Sequence, residues 1–297
     1  MKLSTRPLHP LFGVEIEEMQ VCEPIDDGTF RQIREAFEAH SLLLFRDQRL
    51  TDEGHLAFSR RFGPLEVTVK GNPAAGSNFA RQSNLDIESG QVIPEGDPRL
   101  TYLKAARLWH TDSSFKPIPS LCSLLAGHIC PPEGANTEFA ACRAAHDDLP
   151  RTTQELLWSL RAVHTQMHSL SQVDPSIITD AMRAEMTPVE QPMVRVNPVN
   201  RRRAVYVGAH VRRVVGLPED EGVSLIREMN THATQERYVY SHEWRAGDLI
   251  VWDNRATLHR ATPYDAAKYK RLLQRATVAG NADDYRWELG LREAVAA

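Results

Sequence analysis

Apolar and polar positions alternate in "FGVEIEEMQV", residues 12–21, which predicts a strand near the start of the chain. The period then changes. In "DDGTFRQIREAFEAHS", residues 26–41, Phe30, Ile33 and Phe37 share one helical face and acidic residues open the first turn. "SLLLFRD" reads as the next strand. "TDEGHLAFSRRFG" reads as a second helix, with Thr51 as N-cap, Asp52 and Glu53 in the first turn, and a stop at Gly63. Residues 65–105 are polar, rich in Gly and Pro and weakly patterned, which suggests a long functional loop or lid. Strand patterns dominate the later chain: "PSLCSLLAGHI", "AVYVGAH", "RYVYSHEWRAGDLIVWDN" and "LLQRATVAG", with helices near 143–161 and 218–233. Many strands without a βαβ rhythm predict a closed or sandwiched antiparallel sheet.

Composition narrows the class. The chain has 297 residues, 42% hydrophobic and 25% charged, enough for a sizeable core and without the signature of disorder. Its 35 basic residues against 39 acidic ones give a net charge of −4, so no overall basic field favours nucleic acid or anionic lipid. The basic cluster "NRRRAV", starting at Asn200, reads as a solvated turn. Four cysteines form no C-x-x-C, which fits a reducing cytoplasm. "MKLSTRPLHPLFG" lacks a signal-peptide core and no run of 18 apolar residues occurs, so neither secretion nor a membrane span is expected.

Candidate chemistry begins in "RLWHTDSSF", residues 107–115, where His110 and Asp112 stand one residue apart. With 12 histidines, about one H-x-D is expected by chance, and the chain supplies a second at His146 and Asp148 in "RAAHDDLPR". That second pair lies in a helical pattern, where residues two apart point in different directions. "HTD" precedes Pro117, Pro119 and an apolar strand, and in extended backbone such residues point the same way. Near the C-terminus, "RAGDLIVWDNRATLHRATPYD" reads as turn, buried strand, tight connection and a following strand carrying His259. Alone, His259 would read as a core histidine. Together with His110 and Asp112 across a sheet sandwich it would complete a 2-His-1-carboxylate set, the ligand pattern of non-haem Fe(II) oxygenases.

"WHTDSSF", "NTEFAACRAAHDDLP", "VGAHVRRVVGLP", "GDLIVWDNRATLHRATPYD" and "LLQRAT", with "LLLFRDQ" and "AFSRRFGPLE" earlier, resemble the taurine and 2,4-dichlorophenoxyacetate dioxygenase family. The similarity runs in order from about residue 8 to residue 280. It implies a mainly β fold with flanking helices, a double-stranded β-helix (jelly roll, cupin-like). It also implies one dioxygenase domain over 1–297 with the active-site lid at about 65–105. Implied cofactors are Fe(II), 2-oxoglutarate as cosubstrate, and O2. The reaction would be oxidative decarboxylation of 2-oxoglutarate to succinate and CO2 with hydroxylation of a bound substrate.

The resemblance assigns His110, Asp112 and His259 to the metal, and Thr137, Arg271 and Trp252 to 2-oxoglutarate. An arginine fork suits a carboxylate. The loop "PYDAAKYK" is slightly longer than the resemblance leads one to expect, which makes Lys270 a rival to Arg271. Arg275, His210 and Lys70 match positions near the substrate's acidic group, so the partner would be a small anion. "PPEGANTEFAACRAAHDDLPR" and "VGAHVRRVVGLP" look closer to the phenoxyacetate branch, which implies an aryloxyalkanoate such as 2,4-dichlorophenoxyacetate, cleaved to a phenol and glyoxylate. The alternatives are a dioxygenase of taurine or another sulfonate or sulfate, a zinc or manganese cupin-type hydrolase or isomerase, and a binding protein that kept the fold alone. A homo-oligomer is expected on general grounds.

Overall fold

The computed structural model describes residues 3–68 and 74–296. A seven-stranded sheet runs in the order Thr5–Pro7, Val14–Ile16, Leu42–Phe45, Leu249–Asp253, Cys122–Ile129, Leu272–Val278 and Phe79–Ser83. Val14–Ile16 pairs with Leu42–Phe45 in parallel, and the other pairings are antiparallel. A smaller antiparallel sheet has Val239–His242, Thr137–Ala141 and Thr257–Ala261 in that order, and a backbone bridge from His259 to His110 extends it by one position. Arg161–His164 pairs with Val189–Pro192 and Val211–Val214 beside it.

Side-chain alternation along the central strands builds two cores. Leu43, Phe45, Leu124, Leu249 and Val251 face one way, against Ile33, Phe37, Phe58 and Phe62. Leu42, Leu44, Leu125, Ile250 and Trp252 face the other way and meet Phe139, Ala140 and Leu258 of the smaller sheet. The result is three layers: helices, large sheet, small sheet.

The two N-terminal helices match their sequence signals. Asp27–His40 is capped by Asp26, whose carboxylate accepts from the Thr29 N–H, and it buries Ile33 and Phe37. Asp52–Arg60 is capped by Thr51, whose hydroxyl accepts from the Gly54 N–H. Helices Cys142–Asp147, Arg151–Ser159 and Glu219–Ala233 fall where the pattern places them. All four cysteines are free, and among the described residues no helix is long and apolar enough to cross a membrane.

Two of the segments that differ from the pattern bear on the site. "AVYVGAH" reads as one strand, but the strand is Arg203–Val205, because the chain turns at Gly208 with φ 121°. Residues 65–105 read as unpatterned, yet they contain the edge strand Phe79–Ser83 and the helix Pro98–Lys104. The strand's sequence, "FARQS", is polar because Ala80 and Gln82 line cavities instead of packing into a core.

Candidate metal centre and active site

His110 and His259 are held by reciprocal backbone hydrogen bonds, 3.0 Å from His110 N to His259 O and 2.8 Å from His259 N to His110 O. Their rings lie 4.2 Å apart between centroids. Asp112 closes the group: its carboxylate oxygens stand 3.9 Å from His110 Nε2 and 3.7 Å from His259 Nε2. One ligand atom from each of the three lies within 4.8 Å of the others. The separations are too long for hydrogen bonds and short enough for one ion to bond all three at about 2.1 Å.

Protonation suits a cation. His110 Nδ1 lies 2.7 Å from the Leu108 carbonyl oxygen, an acceptor, so Nδ1 carries the proton and Nε2 presents its lone pair inward. Burial pushes the His110 and His259 imidazoles below their ordinary range, which keeps both neutral. Burial works against the Asp112 anion, but Arg275, His259 and His110 outweigh it and hold the carboxyl far below the usual carboxylate range. Ser123 Oγ donates to one oxygen at 2.6 Å and Arg275 Nη1 to the other at 2.5 Å.

Asn254 is the hub the sequence did not disclose. Its Oδ1 accepts from Trp252 Nε1 at 2.8 Å and from the Asp112 N–H at 3.4 Å, and its Nδ2 donates to Ser120 Oγ and Ser123 Oγ. Its backbone carbonyl accepts from the Thr111 hydroxyl at 2.7 Å. Asn254 thus fixes the HTD loop against the strand leading to His259. "DNRA" signalled only a turn, and a single Asn carries no pattern.

The register of the small sheet sets the next side chains. His259 pairs with Phe139 and Ala261 with Thr137, so His259 and Thr137 point to one face. Thr137 is buried, and its hydroxyl oxygen accepts from Trp244 Nε1 at 2.9 Å, which leaves its own proton free to donate. Arg271, 7% exposed, donates from Nη1 to the Gln82 carbonyl at 3.1 Å, while its Nε is buried with no partner. Among the described residues no carboxylate forms an ion pair with this cation, and burial lowers its guanidinium to about 10. Lys270 is exposed and does not border the cavities that Arg271 borders. His110, His259, Thr137, Arg271, Arg275 and Trp252 all border one chamber of about 30 Å³. Trp252 reaches it as packing: its ring lies 4.7 Å from His259 and its N–H is committed to Asn254.

Arg275, on the strand Leu272–Val278, lies four residues along from Arg271 and borders the same chamber. With His110, Asp112 and His210 it borders a second cavity of about 100 Å³, walled by Phe115, Leu170 and Val67. His210 is buried, meets the rings of His110 and Phe115 edge-on, and has no partner at Nδ1. Lys70 lies outside the described residues. His146 sits on the helix Cys142–Asp147, remote from this group, as its pattern indicated.

A neutral two-histidine face with one carboxylate, an unpaired buried arginine 12 residues past His259 and a second arginine beside the carboxylate can hold a metal ion and two anions. Sequence comparison agrees. The model of the taurine catabolism dioxygenase TauD, TfdA family matches residues 4–277. The alpha-ketoglutarate-dependent 2,4-dichlorophenoxyacetate dioxygenase of Cupriavidus pinatubonensis is 38% identical over 287 residues, 95% of this chain and 99% of that protein. The (S)-phenoxypropionate/alpha-ketoglutarate-dioxygenase of Sphingobium herbicidovorans is 32% identical over 283 residues, 93% of this chain and 94% of that one. The crystal structure of AAD-2 in complex with Mn(II) and N-oxalylglycine superposes with a TM-score of 0.87 at 35% identity, covering 94% of this chain and 98% of its own. The chain belongs to the taurine catabolism dioxygenase TauD, TfdA family.

Proposed function

We propose that the protein is an Fe(II)- and 2-oxoglutarate-dependent dioxygenase that oxidises a small aryloxyalkanoic acid, with 2,4-dichlorophenoxyacetate the first candidate. The observation that carries this reading is the open-faced His110, Asp112 and His259 group beside Arg271, a buried cation that lacks an anion. Fe(II), when bound, supplies the redox chemistry that couples O2 and 2-oxoglutarate decarboxylation to oxidation of a substrate C–H.

The protein's own contribution is positioning. His110 Nε2, His259 Nε2 and an Asp112 oxygen hold the metal. Arg271 takes the distal carboxylate of 2-oxoglutarate through its fork, and the Thr137 hydroxyl donates from the side. Trp252 and Phe139 pack against the His259 ring and keep water out. Arg275 and His210 receive the carboxylate of the second acid in the neighbouring cavity, where unpaired buried donors disfavour a neutral ligand. Hydroxylation of the carbon between ether oxygen and carboxylate yields a hemiacetal that collapses to a phenol and glyoxylate.

The relatives favour the aryloxy acid over a sulfonate, since those with the higher identities are named as dioxygenases of 2,4-dichlorophenoxyacetate and (S)-phenoxypropionate. The strand order supports a double-stranded β-helix: one sheet carries Phe79–Ser83, Leu272–Val278, Cys122–Ile129 and Leu249–Asp253, and the other the His110 bridge, Thr257–Ala261, Thr137–Ala141 and Val239–His242. Glu66, Val67, Thr68 and Leu103 border the cavity over Asp112, which supports reading 65–105 as the cover of the site. A panel of phenoxyacetate, 2,4-dichlorophenoxyacetate, both 2-phenoxypropionate enantiomers, cinnamate and taurine, each with 2-oxoglutarate, tests the assignment. Succinate release with an aryloxy acid supports it, and turnover of taurine alone contradicts it.

A further inference from the structure

Beside the metal chamber lies a much larger cavity of about 660 Å³, between residues 92–107 and the loop 261–267. Gln82 and Ala106 border this cavity, the chamber, and the smaller cavity over Asp112 alike. The chamber therefore has two vestibules. The smaller ends at Arg275 and the larger ends at Arg271.

Cationic side chains run along the larger one. Arg107 and Lys104 are exposed on the wall of the larger vestibule, and Arg271 with its unpartnered Nε closes the inner end. Glu95 and Asp265 also line it, but the Asp265 carboxylate is turned into its own loop, accepting from the Ala267 and Lys268 N–H groups at 3.1 Å each. The Tyr264 ring lies 5.8 Å from the Arg271 guanidinium carbon, at the inner wall. On the other side the Glu66 carboxylate is paired with Lys116 at 2.6 Å and Asp112 with Arg275 at 2.5 Å, and Arg275 would hold a dianion bound for Arg271 short of its seat.

We infer that 2-oxoglutarate reaches Arg271, and succinate leaves, through this larger cavity, while the substrate acid uses the smaller one. The inference rests on the assignment of Arg271 to the cosubstrate. Arg107 and Lys104 steer the dianion inward. Separate mouths let cosubstrate and product exchange without passing the substrate's seat.

An access route is distinguished from a binding site by its kinetics. Narrowing a route slows entry and exit by the same factor and leaves Kd unchanged. The test uses Mn(II)-loaded protein without turnover, mixing it with 2-oxoglutarate in a stopped-flow instrument. Fluorescence is the signal, since Trp252 borders the chamber, and calorimetry gives Kd independently. Ala266→Phe, in the larger cavity, is expected to slow association and dissociation together by about tenfold with Kd unchanged. Val67→Phe, in the smaller cavity, is expected to leave both rates as in the wild type. Arg107→Glu, at an exposed position, is expected to slow association by about tenfold at low salt, with the difference shrinking at high salt. Unchanged rates in Ala266→Phe and Arg107→Glu, or slowing by Val67→Phe instead, would overturn the route. A weaker Kd in Ala266→Phe at an unchanged association rate would overturn it too, making the cavity part of the binding site. Wild-type protein that binds no 2-oxoglutarate would overturn the assignment of Arg271 itself, a result separable from all of these.

Discussion

Asp112 depends on its neighbours more than either histidine does. Burial would protonate it, and Arg275, His259, His110 and Ser123 together keep it an anion. Ser123→Ala removes the 2.6 Å hydrogen bond to Asp112 while keeping all three metal ligands in the chain, and it is expected to weaken metal affinity by about 10- to 100-fold, measured by competition with a chelator. Unchanged affinity would show that Ser123 merely fills space. Arg271 and Lys270 give a sharper pair. Arg271→Ala is expected to raise Kd for 2-oxoglutarate by about 10- to 100-fold, the worth of a hydrogen-bonded charge, and Lys270→Ala is expected to leave it unchanged. The reverse would restore Lys270 as the anchor. At this scale the sequence singled out His110, Asp112, His259, Thr137 and Arg271, and the structure brings the first three into one group and sets Thr137 and Arg271 on the chamber beside it. It did not disclose Asn254, whose bonds to Ser120 and Ser123 and to the Asp112 N–H join residues more than 130 positions apart in the chain.

The elements set which side chains can meet. His259 and Thr137 share a face only because Thr257–Ala261 and Thr137–Ala141 pair in one register, and a slip of one residue would turn either one out of the chamber. Helices with caps and a 3.6-residue period were legible, as Asp26 and Thr51 show. The edge strand Phe79–Ser83 was not, because its pairing comes from Leu272–Val278 and its inner face lines cavities, so no hydrophobic alternation marks it. Gly208 is another element-scale feature. Its φ of 121° suits glycine, and a Cβ there would stand 3.0 Å from Leu258 Cδ2 and 3.2 Å from both the His110 Cα and the Trp109 carbonyl oxygen. Gly208→Ala is therefore expected to displace the His110 segment and weaken metal binding, with the far-ultraviolet circular dichroism unchanged. Wild-type affinity in this variant would mean the backbone yields without moving His110.

At the scale of the whole molecule, the buried histidines tie stability to pH. Burial lowers His55 to about 4 and His164 to about 3. Both folded values lie below the unfolded value near 6.5, so the unfolded chain takes up protons first as pH falls. Their stabilising contribution is complete above about pH 6.5 and declines on acidification, for His55 down to about pH 4, at up to about 1.4 kcal/mol per pH unit for each group. Urea unfolding of the metal-free protein between pH 7.5 and 4.5 is expected to show this loss, with a shallower slope in His55→Gln; an identical slope would remove His55 from the account. The central claim is tested most directly by one stoichiometry. With Fe(II), ascorbate, 2-oxoglutarate and O2, the protein is expected to release 2,4-dichlorophenol from 2,4-dichlorophenoxyacetate in a one-to-one ratio with succinate, and His259→Ala is expected to release neither. Phenol release without 2-oxoglutarate, or full turnover by His259→Ala, would contradict it.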